Sequence, residues 1–248
     1  MRTNVLPASA IDLDTVASIL ADVHGAPDSG AALLRHAAPA GTDLPTHPFQ
    51  ASRTRGDWIG RPGTASTGVL LYLHARRFQF DEPPGVLAGR LAETTRLPVL
   101  LVRYRLAPGD PYPAALDDVL DAYQELLDQG IRPERIVFIG HSAGATLTLS
   151  ALLALHQAGR PMPAGAVAIS LLIACGDSEM LRDDATRFAA AAAGGGADVE
   201  LTIFLGMPHG FPLLALEAAR ILLDRVAEFT TSRLTGTSGP ADATGIAR

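Results

Sequence analysis

Short apolar runs alternate with longer stretches of helical periodicity along most of this chain. From residue 69 onward the alternation is regular: strands are predicted at 69–73, 98–103, 135–139, 166–170, 171–175 and 199–205. Helices are predicted between and after them, at about 84–95, 113–129, 143–158, 181–193 and 212–232. Strand-helix alternation of this kind is the signature of a mostly parallel sheet with helices on both faces, an α/β fold. Upstream, apolar positions at Ile11, Leu13, Val16, Ile19, Leu20 and Val23 predict a helix within 11–38. Residues 49–58 read as one or two edge strands, and the Gly, Pro, Ser and Thr cluster at 60–68 as a turn. The chain thus divides into an N-terminal helical or cap segment (1–48), a core (49–232) and a small, polar, disordered tail (233–248).

Composition narrows the class. With 248 residues, 48% apolar and 19% charged, the chain suffices for one sizeable core. The longest nearly unbroken apolar stretch, 164–175, is too short to span a bilayer, and no apolar run follows Arg2 as a secretory leader would require. A cytoplasmic address and no membrane span are the expectations. The net charge is −6, and the 20 basic residues, all Arg, are scattered, so no concentrated positive face for nucleic acid is expected. The single cysteine, Cys175, excludes an internal disulfide and reads as a buried thiol among apolar neighbours.

One motif carries chemistry. Gly140-His141-Ser142-Ala143-Gly144 sits between a β-branched run, Ile136 to Ile139, and a segment of strong helix formers with leucines at 147, 149, 152, 153 and 155. A serine on a tight strand-to-helix turn presents its hydroxyl for attack on a carbonyl, and small neighbours are needed because the turn leaves no room for larger side chains. A serine hydroxyl needs a base, normally an imidazole, oriented in turn by a carboxylate. Downstream of Ser142, His209 alone falls in a loop after a strand, whereas His156 lies inside a predicted helix and reads as a surface or packing residue. Asp177 and Glu179 both follow the strand before that loop, and Asp183 and Asp184 fall about a turn into the next helix. Histidines are not spaced with Cys or acidic partners as metal ligands, and no glycine loop follows a strand in phosphate-binding form. Neither metal nor cofactor is expected.

Four segments together resemble the hormone-sensitive-lipase-like branch of the α/β-hydrolase fold over roughly 50–232: Tyr104-Arg105-Leu106-Ala107-Pro108 running on to Pro111–Ala115, the serine motif, 176–184 and 206–211. The resemblance implies a carboxylic ester hydrolase acting on a small-molecule ester, with Ser142 as nucleophile, His209 as base and Glu179 as acid. Glu179 is placed by counting back from Asp183-Asp184, and Asp177 is second choice. In the family the first central strand ends His-Gly-Gly-Gly, whose N–H groups form the oxyanion hole. Here it ends His74-Ala75-Arg76-Arg77-Phe78, so N–H groups of Ala75 and Ala143 are the expected donors. Arg76 and Arg77 are either a charge for an anionic substrate group or solvated loop residues.

Relatives also carry several dozen cap residues between the strands matching 166–170 and 171–176. Here Ser170 abuts Leu171, so the cap is expected to be reduced or partly missing. Because parallel neighbours need a crossover of about a dozen residues, these two strands are not expected to be adjacent. The altered oxyanion segment keeps open two other uses of the fold: non-hydrolytic ligand binding or regulation, as in the plant gibberellin receptor, and acyl-transfer or cyclisation chemistry. The sequence leaves the oligomeric state open, a homodimer included.

Overall fold

The computed structural model describes residues 1–26, 32, 35–38, 44–64, 68–75, 85–169, 174–176 and 182–236. Among the described residues nine strands form one sheet: β1 (Arg2–Leu6), β2 (Thr46–Gln50), β3 (Arg55–Ile59), β4 (Val69–Leu73), β5 (Val99–Arg103), β6 (Ile136–His141), β7 (Gly165–Ile169), β8 (Ala174–Gly176) and β9 (Glu200–Phe204). Their order is β1-β9-β8-β7-β6-β4-β5-β3-β2. Every pairing from β1 across to β5 is parallel, and the β5-β3 and β3-β2 pairings are antiparallel. The helices are α1 (Ala10–Gly25), α2 (Gly85–Thr95), α3 (Ala114–Asp128), α4 (Ala143–Gln157), α5 (Arg182–Gly194) and α6 (Glu217–Thr235).

The central strands explain the two layers. β4, Val-Leu-Leu-Tyr-Leu, is buried throughout, as a strand covered on both faces must be. Leu70 and Tyr72 point to one face, where they meet α1, α2 and α6 through Val16, Leu87, Leu91 and Leu222. Val69, Leu71 and Leu73 point to the other, against α3 and α4 through Val119, Tyr123, Leu126 and Leu155. A third cluster joins Ala145 of α4 and Ala168 of β7 to Ala185 and Ala189 of α5.

Several expectations shift. The first helix ends at Gly25 rather than near 38: Ala26 is extended (φ −88°, ψ 141°), as a residue preceding proline, here Pro27, is biased to be. Residues 2–6, expected outside the sheet, form edge strand β1, which pairs in parallel with β9 over five residues. Polar Thr3 and Asn4 followed by apolar Val5 and Leu6 do not alternate, and so give no period-2 strand signal. The 48/49 boundary falls inside β2. The last helix starts at Glu217, after a single 3-10 turn at Phe211–Leu213, and runs past 232. It is held there by the Arg233–Asp198 ion pair, and Gly236 in the left-handed conformation ends it (φ 69°). Residues 237–248 of the expected tail lie outside the described residues.

The strands around Ser170 and Leu171 give the main correction. β7 and β8 are neighbours and parallel, against expectation: the described part of β8 is three residues long and meets β7 at its tip. Among the described residues a single pair, Ile169 with Ala174, joins them. The chain does not have to return along the length of β7, so no long crossover is needed. Only four residues separate the two strands, too few for a cap domain inserted there. The link 170–171 itself lies outside the described residues.

Candidate active site

The strand order reverses between β4 and β6, since β5 lies on one side of β4 and β6 on the other. In an open α/β sheet the crevice beyond the strand C-termini at such a point is where ligands bind. The C-terminal ends of β4, β6, β8 and β9 share one edge of the sheet, and the segments bearing the expected site residues leave from those ends.

Ser142 stands between the last residue of β6 and the first of α4, with φ 53° and ψ −116°. Positive φ in a non-glycine residue costs on the order of 1–3 kcal/mol and persists only where the surroundings over-determine it. The surroundings do so here: the Ser142 N–H donates to the Ile169 carbonyl on β7 (2.9 Å), while its own carbonyl accepts from the Ala145 N–H (2.9 Å) and opens the helix. The glycine at 144 has a steric reason. A Cβ there would overlap the Leu73 carbonyl oxygen and stand 2.8 Å from that of His74, so the first turn of α4 presses backbone to backbone against the end of β4. Ala143, exposed, is the first residue of the helix, and its N–H has no intrahelical acceptor.

Across the crevice, the loop after β9 carries His209. Its Nε2 lies 3.0 Å from the Ser142 Oγ, a hydrogen-bond distance between two residues 67 positions apart. A neutral imidazole protonated at Nδ1 accepts the serine proton in this geometry. The loop is buttressed by the N-terminal segment. Gly206 (φ +74°) lies so close to Leu13 of α1 that a Cβ would collide with it. Asp12, 4% exposed, accepts from the N–H groups of Glu217 (3.0 Å) and Ala218 (2.9 Å) at the start of α6.

At the end of β4, His74 is buried and Ala75 half-buried. The His74 ring stacks on Tyr104 (4.5 Å, 12°), whose hydroxyl donates to the His74 carbonyl at 2.6 Å. The structure thus brings Ser142, His209, Ala143, His74 and Ala75 to one edge of the sheet. Arg76 and Arg77 lie outside the described residues, as do Asp177 and Glu179, which directly follow β8. His156 is exposed on α4. Asp183 and Asp184 fall in the first turn of α5, which starts at Arg182. Of Cys175 only the backbone, in β8, is described.

Two features escaped the sequence reading. His141, 2% exposed, has no hydrogen-bond partner on either ring nitrogen among the described residues, and its ring lies nearly parallel to that of His209 at 6.4 Å. Burial pushes its pKa down to about 3, with the neighbouring imidazoles of His209 and His74 acting in the same direction. The Tyr104–His74 contact joins residues 30 positions apart and leaves no periodic trace. Among the described residues no group of three or more His, Cys, Asp or Glu is placed to hold a metal ion, and no helix is long and apolar enough to cross a membrane.

Known proteins match this frame. Residues 70–172 fit the model of an alpha/beta hydrolase fold family. An acetyl-hydrolase of Streptomyces hygroscopicus is 41% identical over 116 residues, 46% of this chain and 38% of that protein. An esterase of Acinetobacter venetianus is 35% identical over 134 residues, 53% of this chain and 44% of that protein. The matches therefore span less than half of these relatives' own lengths. The crystal structure of an esterase from the bacterial hormone-sensitive lipase family superposes with a TM-score of 0.79 at 25% identity, covering 92% of this chain and 99% of that one. The chain has the α/β-hydrolase fold and is similar to esterases of the bacterial hormone-sensitive lipase family.

Proposed function

We propose that the chain hydrolyses carboxylic esters of small molecules with short acyl groups through a Ser-His-acid triad. The observation that carries this reading is the 3.0 Å approach of His209 Nε2 to the Ser142 Oγ, on a serine whose backbone strain is of the kind stored at functional sites. The acyl preference is taken from relatives named acetyl-hydrolase and ethyl acetate hydrolase.

Ser142 Oγ attacks the ester carbonyl while His209 Nε2 takes its proton, and the carbonyl oxygen becomes an oxyanion. N–H groups of Ala143 and Ala75, with the Arg76 N–H next in line, stabilise that charge. Collapse expels the alcohol, which receives the proton from His209 and leaves an acyl-serine. Water, deprotonated by the same imidazole, then releases the acid and restores Ser142. Glu179 orients the imidazole and stabilises its protonated form, with Asp177 the second choice; both follow β8, the strand beside β9, in sequence. Arg76 or Arg77 offers charge to an anionic substrate group.

A fluorophosphonate probe is expected to label the wild type and to fail on Ser142→Ala. A panel of p-nitrophenyl esters of graded acyl length is expected to give the highest kcat/KM at acetate, with kcat lowered on the order of 10⁶-fold in Ser142→Ala. Folded protein that is neither labelled nor active overturns the reading. Glu179→Gln is expected to lower kcat by about 10⁴-fold; a larger loss in Asp177→Asn moves the acid to Asp177. The replaced glycines after His74 favour one variation, acyl transfer to an added alcohol, which product analysis with and without a competing alcohol distinguishes from hydrolysis.

A further inference from the structure

The oxyanion-holding turn after β4 lacks the glycines that resemblance leads one to expect, and the Tyr104 hydroxyl sits where it can supply the missing definition. The His74 carbonyl that accepts this hydroxyl (2.6 Å) and the Ala75 N–H belong to the same peptide group. In a trans peptide the two point in opposite directions within one plane, so fixing the carbonyl fixes the N–H. The same carbonyl packs close to Gly144 at the start of α4, where an added Cβ would stand 2.8 Å from it. The His74–Tyr104 ring stack restrains the rest of the residue.

Tyr104 is itself firmly seated. It is 6% exposed, and the next residue, Arg105, donates from its backbone N–H (2.8 Å), Nε (3.0 Å) and Nη2 (2.8 Å) to the carboxylate of Asp118, which is 1% exposed in α3. The hydroxyl therefore stands on a side chain braced from behind by a multiply bonded Arg–carboxylate pair.

We propose that Tyr104 is a positioning residue for ester hydrolysis: its hydroxyl, bonded to the His74 carbonyl, sets the direction of the Ala75 N–H that stabilises the oxyanion. This inference rests on the hydrolase reading above. Because the donor acts on charge that develops only in the transition state, its misalignment lowers kcat and leaves substrate binding largely unchanged.

The test is Tyr104→Phe, which keeps the ring stack and removes one oxygen, assayed with p-nitrophenyl acetate and with a trifluoromethyl ketone as transition-state analogue. Expected are a kcat about 10- to 100-fold lower, a KM within about twofold of wild type, and ketone affinity weakened in step with kcat. The pH at which kcat/KM rises on the acidic limb of its profile is expected to stay in place, since the Ser142–His209 contact is undisturbed. If Tyr104→Phe does not fold, 4-fluorophenylalanine at 104 fills the same space without a donor and is expected to show the same pattern. Unchanged kcat and ketone affinity in an active enzyme overturn this inference alone, as does a loss confined to KM or a displaced pH profile. A wild type that neither turns over the ester nor is labelled at Ser142 overturns the hydrolase reading itself, and this inference with it.

Discussion

His141 shows how much chemistry one side chain can bury. The serine motif was legible because its glycines and flanking strand and helix are local, whereas the state of the histidine inside it depends on what closes over it from β4 and the β9 loop. Its folded pKa of about 3 lies below the ordinary value of 6.5. The imidazole is neutral in both folded and unfolded chains above pH 6.5 and contributes no pH dependence there. Between pH 6.5 and about 3 the unfolded chain binds a proton that the folded chain refuses, so stability is lost as pH falls through this window, at about 1.4 kcal/mol per unit. We expect the urea-unfolding free energy of wild type to drop between pH 6.5 and pH 5 by on the order of 2 kcal/mol more than that of His141→Asn, which does not titrate. Equal slopes for the two proteins would show that burial does not hold this ring neutral.

Among elements, the central ones were readable and the N-terminal ones were not, for a physical reason. β4, β5 and β6 are short apolar runs buried on both faces, so their composition alone marks them. β1 is an edge strand with mostly exposed positions and carries too little periodicity to be placed, whereas the apolar run at 171–175 marks the strand whose described part is β8. The helix after β1 was legible, but its task was not. Asp12 spends its carboxylate on two backbone N–H groups of another helix more than 200 residues away, a contact with no sequence signature. Asp12→Ala would leave buried donors at the start of α6 unpaired. We expect a loss of about 1–3 kcal/mol in chemical denaturation, and Asp12→Asn, which keeps one acceptor oxygen, to lose less. Equal stability of Asp12→Ala and wild type would mean that water takes over the cap without penalty.

For the molecule as a whole, resemblance and periodicity agree on the α/β-hydrolase fold, and the described structure differs mainly at the margins of the sheet. The carboxylate expected to complete the triad follows β8 outside the described residues, so its assignment still rests on resemblance. Residues 1–48, expected as an N-terminal helical or cap segment, contribute β1 to one edge of the sheet and part of β2 to the other. β1 covers β9 with a five-residue ladder, and without it β9 would present a row of unpaired N–H and C=O groups to solvent. Deleting residues 1–6 is expected to lower Tm by on the order of 5 °C and to produce concentration-dependent association in light scattering. A deletion variant that stays monomeric with unchanged Tm would show the strand to be dispensable.

Among the described residues β7 and β8 meet only at a tip, which divides the sheet into unequal panels: Ser142 rides on the larger, beside β6, and His209 on the smaller, after β9. Backbone bonding among the described residues is sparsest along the line that the hydroxyl and the imidazole must span. Their alignment is then kept chiefly from behind, by Ile169, Phe204, Met207 and Leu222 packed in one cluster across that line. Trimming these side chains would let the panels shear while each stays folded, and the Ser142–His209 pair would go out of tune before the fold came apart.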